Sequence, residues 1–241
     1  MAEFNKDPQS PMTQVMFFGR TLSEYVKMYE LDLSLWKNGK ILDCPAGPSS
    51  FVAEANKLGL NVVGCDPLFT DDLKSIAECG KLDLEKTTIA YSNTLEFLSN
   101  KFYHSVESIR NYSTSALEQF LADYTIGKRQ ERYIKAKLPY LPFLDRTFDL
   151  VLSSNFLFLY SDLANHKLKE FDYNFHLQAV LELFRVSKQE VRIFPINRYG
   201  QIFKYVDRLL IDLQEKEIKY QIKSVDYEIF NESNLMLCLI R

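Results

Sequence analysis

The spacing of apolar residues changes twice within the first 66 positions. Leu22, Tyr25, Val26 and Tyr29 recur at the three- and four-residue intervals of one helix face. Thr21 with Glu24 three residues on has the capping-box spacing, so a helix is expected to begin there. From Lys40 the pattern shortens. Ile41-Leu42-Asp43-Cys44 is an apolar, strand-sized run that stops at the turn-forming Pro45-Ala46-Gly47-Pro48. Ser49 or Ser50 is placed to cap a second helix with Phe51, Val52, Ala55 and Leu58 on its apolar face, and Gly59 ends it. Asn61–Asp66 then reads as a second strand. Strand, helix and strand in this order predict a βαβ unit with two parallel strands and a right-handed crossover.

Beyond it the pattern is helical and polar from about residue 70 to 132, with apolar stripes at Leu95, Phe97, Leu98 and Phe102 and at Leu117, Phe120 and Leu121. That is longer than one crossover requires, so a helical insertion is expected. A third strand is expected near Tyr133–Lys137 and a fourth over Phe148–Ser153, whose unbroken apolar run suits a strand covered on both faces. A helix around Phe175–Val186, a fifth strand over Val191–Phe194, a helix carrying Phe203 to Leu213, and a terminal hairpin of Tyr220–Ile229 with Leu235–Ile240 complete the pattern. The expected class is α/β, a Rossmann-like, doubly wound, mostly parallel sheet with a C-terminal antiparallel hairpin. Residues 1–37 form an N-terminal helical segment that could serve as a lid, and residues 38–241 form the main domain.

Composition narrows the function classes. The 241 residues are 46% hydrophobic and 25% charged, which is ordinary for a globular chain able to bury a core without staples. Lys and Arg number 29 and Asp and Glu 32, a formal net charge of −3, so no global basic field points to nucleic acid. No basic segment followed by an apolar run opens the chain, and no window has the ~18 consecutive apolar residues of a membrane span. Cys44, Cys65, Cys79 and Cys238 are too dispersed for a zinc site and read as reduced thiols of a cytoplasmic protein.

The chemistry gathers at three strand ends. An open parallel sheet binds ligands beyond the carboxyl ends of its strands. Here those ends carry Asp43 to Gly47, then Asp66-Pro67-Leu68, then Ser153-Ser154-Asn155. An acidic residue about 20 positions beyond the first turn is placed to hold the two hydroxyls of an adenosine ribose, and Asp66 is such a residue. A dinucleotide site would show G-x-G-x-x-G with free amides for a pyrophosphate. This turn has one glycine between two prolines, Pro48 has no N–H to offer, and Asp43 disfavours an anion. A cationic amino acid joined to adenosine satisfies both conditions, and S-adenosylmethionine is that ligand.

Ile41–Gly47, Val63-Gly64-Cys65-Asp66 and Leu141-Pro142-Phe143-Leu144-Asp145-Arg146-Thr147-Phe148-Asp149-Leu150-Val151 resemble class I S-adenosylmethionine-dependent methyltransferases. The resemblance covers about residues 40–241. It implies that Asp43, Cys44, Pro45, Ala46 and Gly47 hold the methionine part, that Asp66 holds the ribose, and that Pro67 and Leu68 flank adenine. It also places Ser153, Ser154 and Asn155 on the methyl-transfer side. No carboxylate precedes the Leu-Pro-Phe string to reach adenine, so Leu138 and backbone groups, or a residue of the helical insertion, are expected to take that part. Arg20 and Tyr25 lie where the family folds an N-terminal helix over the cofactor.

The implied activity is methyl transfer by displacement at the sulfonium carbon, to a small-molecule acceptor, without a membrane or nucleic-acid partner. A non-catalytic adenosyl-ligand-binding protein and, less favoured, a nicotinamide-dependent oxidoreductase are the alternatives. Asn155, Tyr160, Asp162 and His176 are candidates on the acceptor side, with no base assigned. His104 and His166 read as surface or packing residues.

Overall fold

The computed structural model describes residues 14–162, with Asp162 by its backbone only, and residues 170–241. The expectations placed on the first residues, on His166 and on the Asp162 side chain lie outside the described residues. The elements are α1 (Leu22–Met28), β1 (Lys40–Asp43), α2 (Phe51–Lys57), β2 (Asn61–Cys65), α3 (Leu73–Ser92), α4 (Val106–Arg129), β3 (Tyr133–Ile134) and β4 (Phe148–Ser154). There follow α5 (Leu159–Asp162), α6 (Tyr173–Val186), β5 (Ser187–Phe194), β6 (Asn197–Arg198), β7 (Gln201–Ile202), α7 (Val206–Glu215), β8 (Lys219–Ser224) and β9 (Leu235–Ile240).

Seven strands form one sheet in the order β3-β2-β1-β4-β5-β9-β8. The first five are parallel, β9 runs antiparallel to both β5 and β8, and the small β6–β7 hairpin stands apart. The register sets Asp43 beside Gly64 and Leu152, so the tips of β1, β2 and β4 end together. The reversal of strand order between β2-β1 and β4-β5 is the switch point at which such sheets bind ligands. Apolar cores lie on both faces: Ile41, Leu150 and Leu152 pack toward α1 and α2, while Leu42, Val151 and Val191 pack toward α6 and α7. The alternation along β1 follows from the two-residue period of a strand.

The capping box at Thr21 is present in both directions, with Glu24 N–H donating to Thr21 Oγ1 and Thr21 N–H donating to Glu24 Oε2. The helix it starts ends at Met28, shorter than the pattern suggested, and a single turn over Leu33–Trp36 follows. Ser50 occupies the first cap position of α2 with no side-chain cap bond. Its hydroxyl donates to Glu54, which also accepts the Leu22 N–H at 3.0 Å. The expected insertion divides in two. α4 packs against α2 and β3, where the crossover helix of a β2–β3 connection belongs, so the additional element is α3, laid against α4. The third strand is two residues long, Tyr133–Ile134, shorter than the expected Tyr133–Lys137.

Gly19 decides how the N-terminal segment docks. A Cβ there would meet the Pro48 carbonyl oxygen at 2.1 Å and its carbon at 2.5 Å. Backbone cannot step aside as a flexible side chain does. Gly19→Ala is therefore expected to cost about 1–3 kcal/mol, an overpacking penalty, read as a lowered midpoint in denaturant melts with the slope unchanged.

Candidate functional site

The converging tips of β1, β2 and β4 open into a cavity of about 590 Å³, within the range of about 300–1,000 Å³ typical of small-molecule sites. Its floor is Cys44 to Gly47, Asp66 to Leu68, Ala136 to Leu138, and Ser154 to Phe156. The roof is built from Val15 to Phe18 and Arg20, the end of α3 (Thr87 to Thr94), and the loops after β5 and β8.

Eleven of the fourteen expected residues line this cavity: Arg20, Cys44, Pro45, Ala46, Gly47, Asp66, Pro67, Leu68, Leu138, Ser154 and Asn155. Asp43, Tyr25 and Ser153 are buried behind its wall. Asp43 pairs in register with Leu152, so strand alternation turns it to the α1/α2 face of the sheet and Ser153 to the opposite face, both below the tips. Tyr25, expected as part of a lid, is fully buried, stacks on Phe51 at 4.3 Å and donates its hydroxyl to Asp43 Oδ2 at 2.8 Å. Burial pushes the Asp43 carboxyl well above the usual carboxylate range; the Tyr25 hydrogen bond pulls it down, while the Asp66 charge raises it further.

Asp66 is 6% exposed and stands at the end of β2. Its Oδ2 accepts the Gly47 N–H at 3.1 Å and its Oδ1 accepts the Leu68 N–H at 2.9 Å. Each carboxylate oxygen keeps a second lone pair, so both can still take a hydroxyl donor. Burial raises its pKa to about 6, against the two N–H bonds that hold it down. It is ionised at neutral pH. Gly47 turns the chain beneath it with φ of +54°, which glycine adopts without Cβ strain.

The amino end of α2 is closed by protein. The Ser50 N–H donates to the Arg20 carbonyl at 3.0 Å, the Arg20 N–H donates to Ser49 Oγ at 3.1 Å, and the Glu54 carboxylate occupies the first turn. In the turn before it Pro48 has no N–H and the Gly47 N–H is given to Asp66, so neither offers an amide to a pyrophosphate. Arg20 itself is buried, paired with Glu24 Oε1 at 3.5 Å through Nη1, which has no hydrogen bond of its own.

On the acceptor side Asn155 and Tyr160 line the cavity, whereas His176 does not. The His176 ring is stacked against Phe158 at 5.2 Å, with Nδ1 at 2.7 Å from the Asp172 carbonyl oxygen, and burial lowers its pKa. It is a packing residue. Tyr160 accepts the Met16 N–H at 3.0 Å, and the Phe17 N–H donates to Asp83 Oδ2 at 2.9 Å, so the roof is tied to α5 and α3. Sequence reasoning missed Thr87, Tyr91 and the Phe230 loop as lining residues. Their helical period reads equally well as core, and only the third dimension brings them over the strand tips.

No family model matches the chain. It is 32% identical over 235 residues to the uncharacterized protein MJ0045 of Methanocaldococcus jannaschii, covering 95% of this chain and 98% of that one. Among solved structures it is similar to an S-adenosylmethionine-dependent methyltransferase of Aquifex aeolicus, at 11% identity and a TM-score of 0.42 over 90% of each chain. It is also similar to magnesium protoporphyrin IX methyltransferase of Synechocystis PCC 6803, at 10% identity and a TM-score of 0.44 over 97% of this chain and 88% of that one.

Proposed function

We propose that this chain, which belongs to the family of the Methanocaldococcus jannaschii protein MJ0045, is a class I S-adenosylmethionine-dependent methyltransferase acting on a small molecule. The observation that carries the reading is Asp66, a carboxylate in the cavity wall at the tip of β2 whose two oxygens each accept one backbone N–H and keep a lone pair for a ligand. A turn with one glycine, followed by Pro48 with no N–H, favours a ribose-bearing cation there over a dinucleotide. The four free cysteines agree with a reducing, cytoplasmic setting, and no helix among the described residues is long and apolar enough to cross a membrane.

The residues present fit the cofactor part by part. Asp66 offers two acceptor lone pairs to the ribose hydroxyls. Pro67, Leu68 and Leu138 give adenine apolar walls, and Arg20, whose Nη1 faces Glu24, lines the cavity as a cation for the methionine carboxylate. When bound, the cofactor supplies a methyl group on a positively charged sulfur that departs as a neutral thioether. What the protein then contributes is position and dryness. The floor fixes one reactant, Asn155 at φ of +49° turns from the end of β4 into the cavity wall, and the Val15–Phe18 roof excludes water.

Isothermal calorimetry tests the assignment. S-adenosylmethionine and S-adenosylhomocysteine are expected to bind with micromolar or tighter dissociation constants, and NAD to give no heat. Binding of NAD in place of the adenosyl ligands would overturn it.

A further inference from the structure

Asn155 is the first residue beyond β4, and its neighbours fix both its backbone and its side chain. Its N–H donates to the Phe194 carbonyl at 2.7 Å, which carries the β4–β5 pairing one residue past Ser154. Its φ of +49° lies in the left-handed region, which asparagine adopts more readily than most residues with a Cβ. Its Nδ2 donates at 3.6 Å to the sulfur of Met28, a fully buried residue of α1. A thioether sulfur accepts and cannot donate. The Met28 contact therefore decides which way the carboxamide faces, since turning it over would set Oδ1, an acceptor, against another acceptor.

Oδ1 is left for the cavity. The Asn155 side chain lines the cavity and is half-buried. Among the described residues Oδ1 has no hydrogen-bond partner, and it is not one of the polar atoms that packing seals from solvent. Ser153 Oγ and Asp43 Oδ1, by contrast, are unpaired and sealed. The tip of β4 thus presents one neutral, reachable carbonyl oxygen, and what a guest must bring to it is a hydrogen. A phenolate, carboxylate or thiolate has none on its attacking atom and would face the negative end of the carboxamide dipole. An alcohol has one but must lose it to attack well, and the carboxamide that would hold that hydrogen is not a base. A neutral amine with an N–H gives its hydrogen to Oδ1 and keeps its lone pair for the methyl carbon. The positive charge that develops on nitrogen then lies against the same dipole, which is stabilisation realised most fully in the transition state. The half-buried rings of Phe18, Phe156 and Phe230 also line the cavity, and apolar surroundings favour an amine over its ammonium.

We infer that the methyl acceptor is an amine nitrogen bearing at least one hydrogen, and that Asn155 Oδ1 holds that hydrogen and aims the lone pair. This rests on the methyl-transfer reading. The transfer forms one N–CH₃ bond from the nitrogen lone pair and breaks one S–CH₃ bond, whose electron pair stays on sulfur. The positive charge passes from sulfur to nitrogen, and the product ammonium gives its proton to water.

The test uses the full chain, with labelled S-adenosylmethionine for turnover and S-adenosylhomocysteine for binding. Benzylamine, phenethylamine and hexylamine are each compared with the alcohol and the thiol of the same skeleton, and with the N,N-dimethyl amine, which has a lone pair but no N–H. The primary amines are expected to be the methylated class, with kcat/KM at least about tenfold above the other three, the worth of one hydrogen bond to a developing charge. Asn155→Gly removes the carboxamide at a φ that glycine adopts without strain. It is expected to lower kcat for the amine about 10- to 100-fold, with KM and S-adenosylhomocysteine affinity little changed. Asn155→Asp tolerates the same φ and keeps an acceptor oxygen, so it is expected to recover most of the lost kcat. A packing role for Asn155 would instead carry S-adenosylhomocysteine affinity down with kcat. Methylation of the N,N-dimethyl amines as fast as the primary ones, an O- or S-methyl compound as the main product, or an unchanged amine kcat in Asn155→Gly would each overturn the inference. Equal falls in amine turnover and S-adenosylhomocysteine affinity in that variant would overturn it too. Intact S-adenosylhomocysteine binding with no amine methylated overturns the acceptor class alone. Absent S-adenosylhomocysteine binding overturns the methyl-transfer reading along with it.

Discussion

Asp66→Ala is expected to weaken S-adenosylhomocysteine binding by at least about 100-fold, because hydrogen bonds to a charged acceptor contribute about 1.5–3 kcal/mol each and the two ribose hydroxyls lose theirs together. The Gly47 and Leu68 amides also lose their acceptor, so thermal melting must accompany the calorimetry. Asp66→Asn, which keeps one oxygen, is expected to fall between the two. The pH dependence has a definite sign. The carboxyl titrates at about 6, above its ordinary value, because burial disfavours the charge. The ribose needs the ionised form, so affinity is flat above pH 7 and declines as pH drops through 6. The same raised pKa means that the free folded protein holds this proton more tightly than the unfolded chain. The stability cost is absent at low pH and complete once pH has risen past 6. The increase in melting temperature caused by ligand is therefore larger at pH 7.5 than at pH 5.5. An affinity indifferent to Asp66→Ala would remove the ribose role.

This residue was legible in the sequence because strand periodicity and the βαβ spacing fix which position ends β2, whatever packs around it. The same holds for the Thr21–Glu24 box and for the apolar β4. What the sequence could not separate was a carboxylate in the cavity wall from one behind it. Asp43 and Asp66 both stand at strand ends, yet Asp43 pairs in register with Gly64 and is held by Tyr25 inside the sheet, while Asp66 lies two residues further out, past the tip of β2, and lines the opening. His176 shows the same limit. Its place at the start of an apolar helix fits an acceptor-side base and a packed ring equally well, and the Phe158 stack decides for the second. The aromatic part of the cavity wall was illegible because its residues come from distant stretches, each of which alone reads as core.

Arg20 and Glu24 make the largest demand on stability. Glu24 is fully buried and accepts from the Tyr103 and Tyr227 hydroxyls, from Thr21 and, through the ion pair, from Arg20. It thereby joins α1 to the Tyr103 loop and to the segment between β8 and β9. Glu24→Ala leaves a buried guanidinium without its counter-charge and is expected to destabilise the fold by about 3–5 kcal/mol, the usual cost of breaking a buried pair from one side. Denaturant melts measure it. Removing both charges has a different expected result. In Arg20→Met/Glu24→Gln the glutamine oxygen can still serve the capping box, and methionine fills the apolar volume, so most of the stability returns. The affinity for S-adenosylhomocysteine does not return with it, because the carboxylate of that ligand has lost Arg20. A double variant that is stable and binds normally would assign Arg20 to the fold alone. One that is stable and binds weakly separates the two tasks of this arginine: holding α1 down and meeting the ligand.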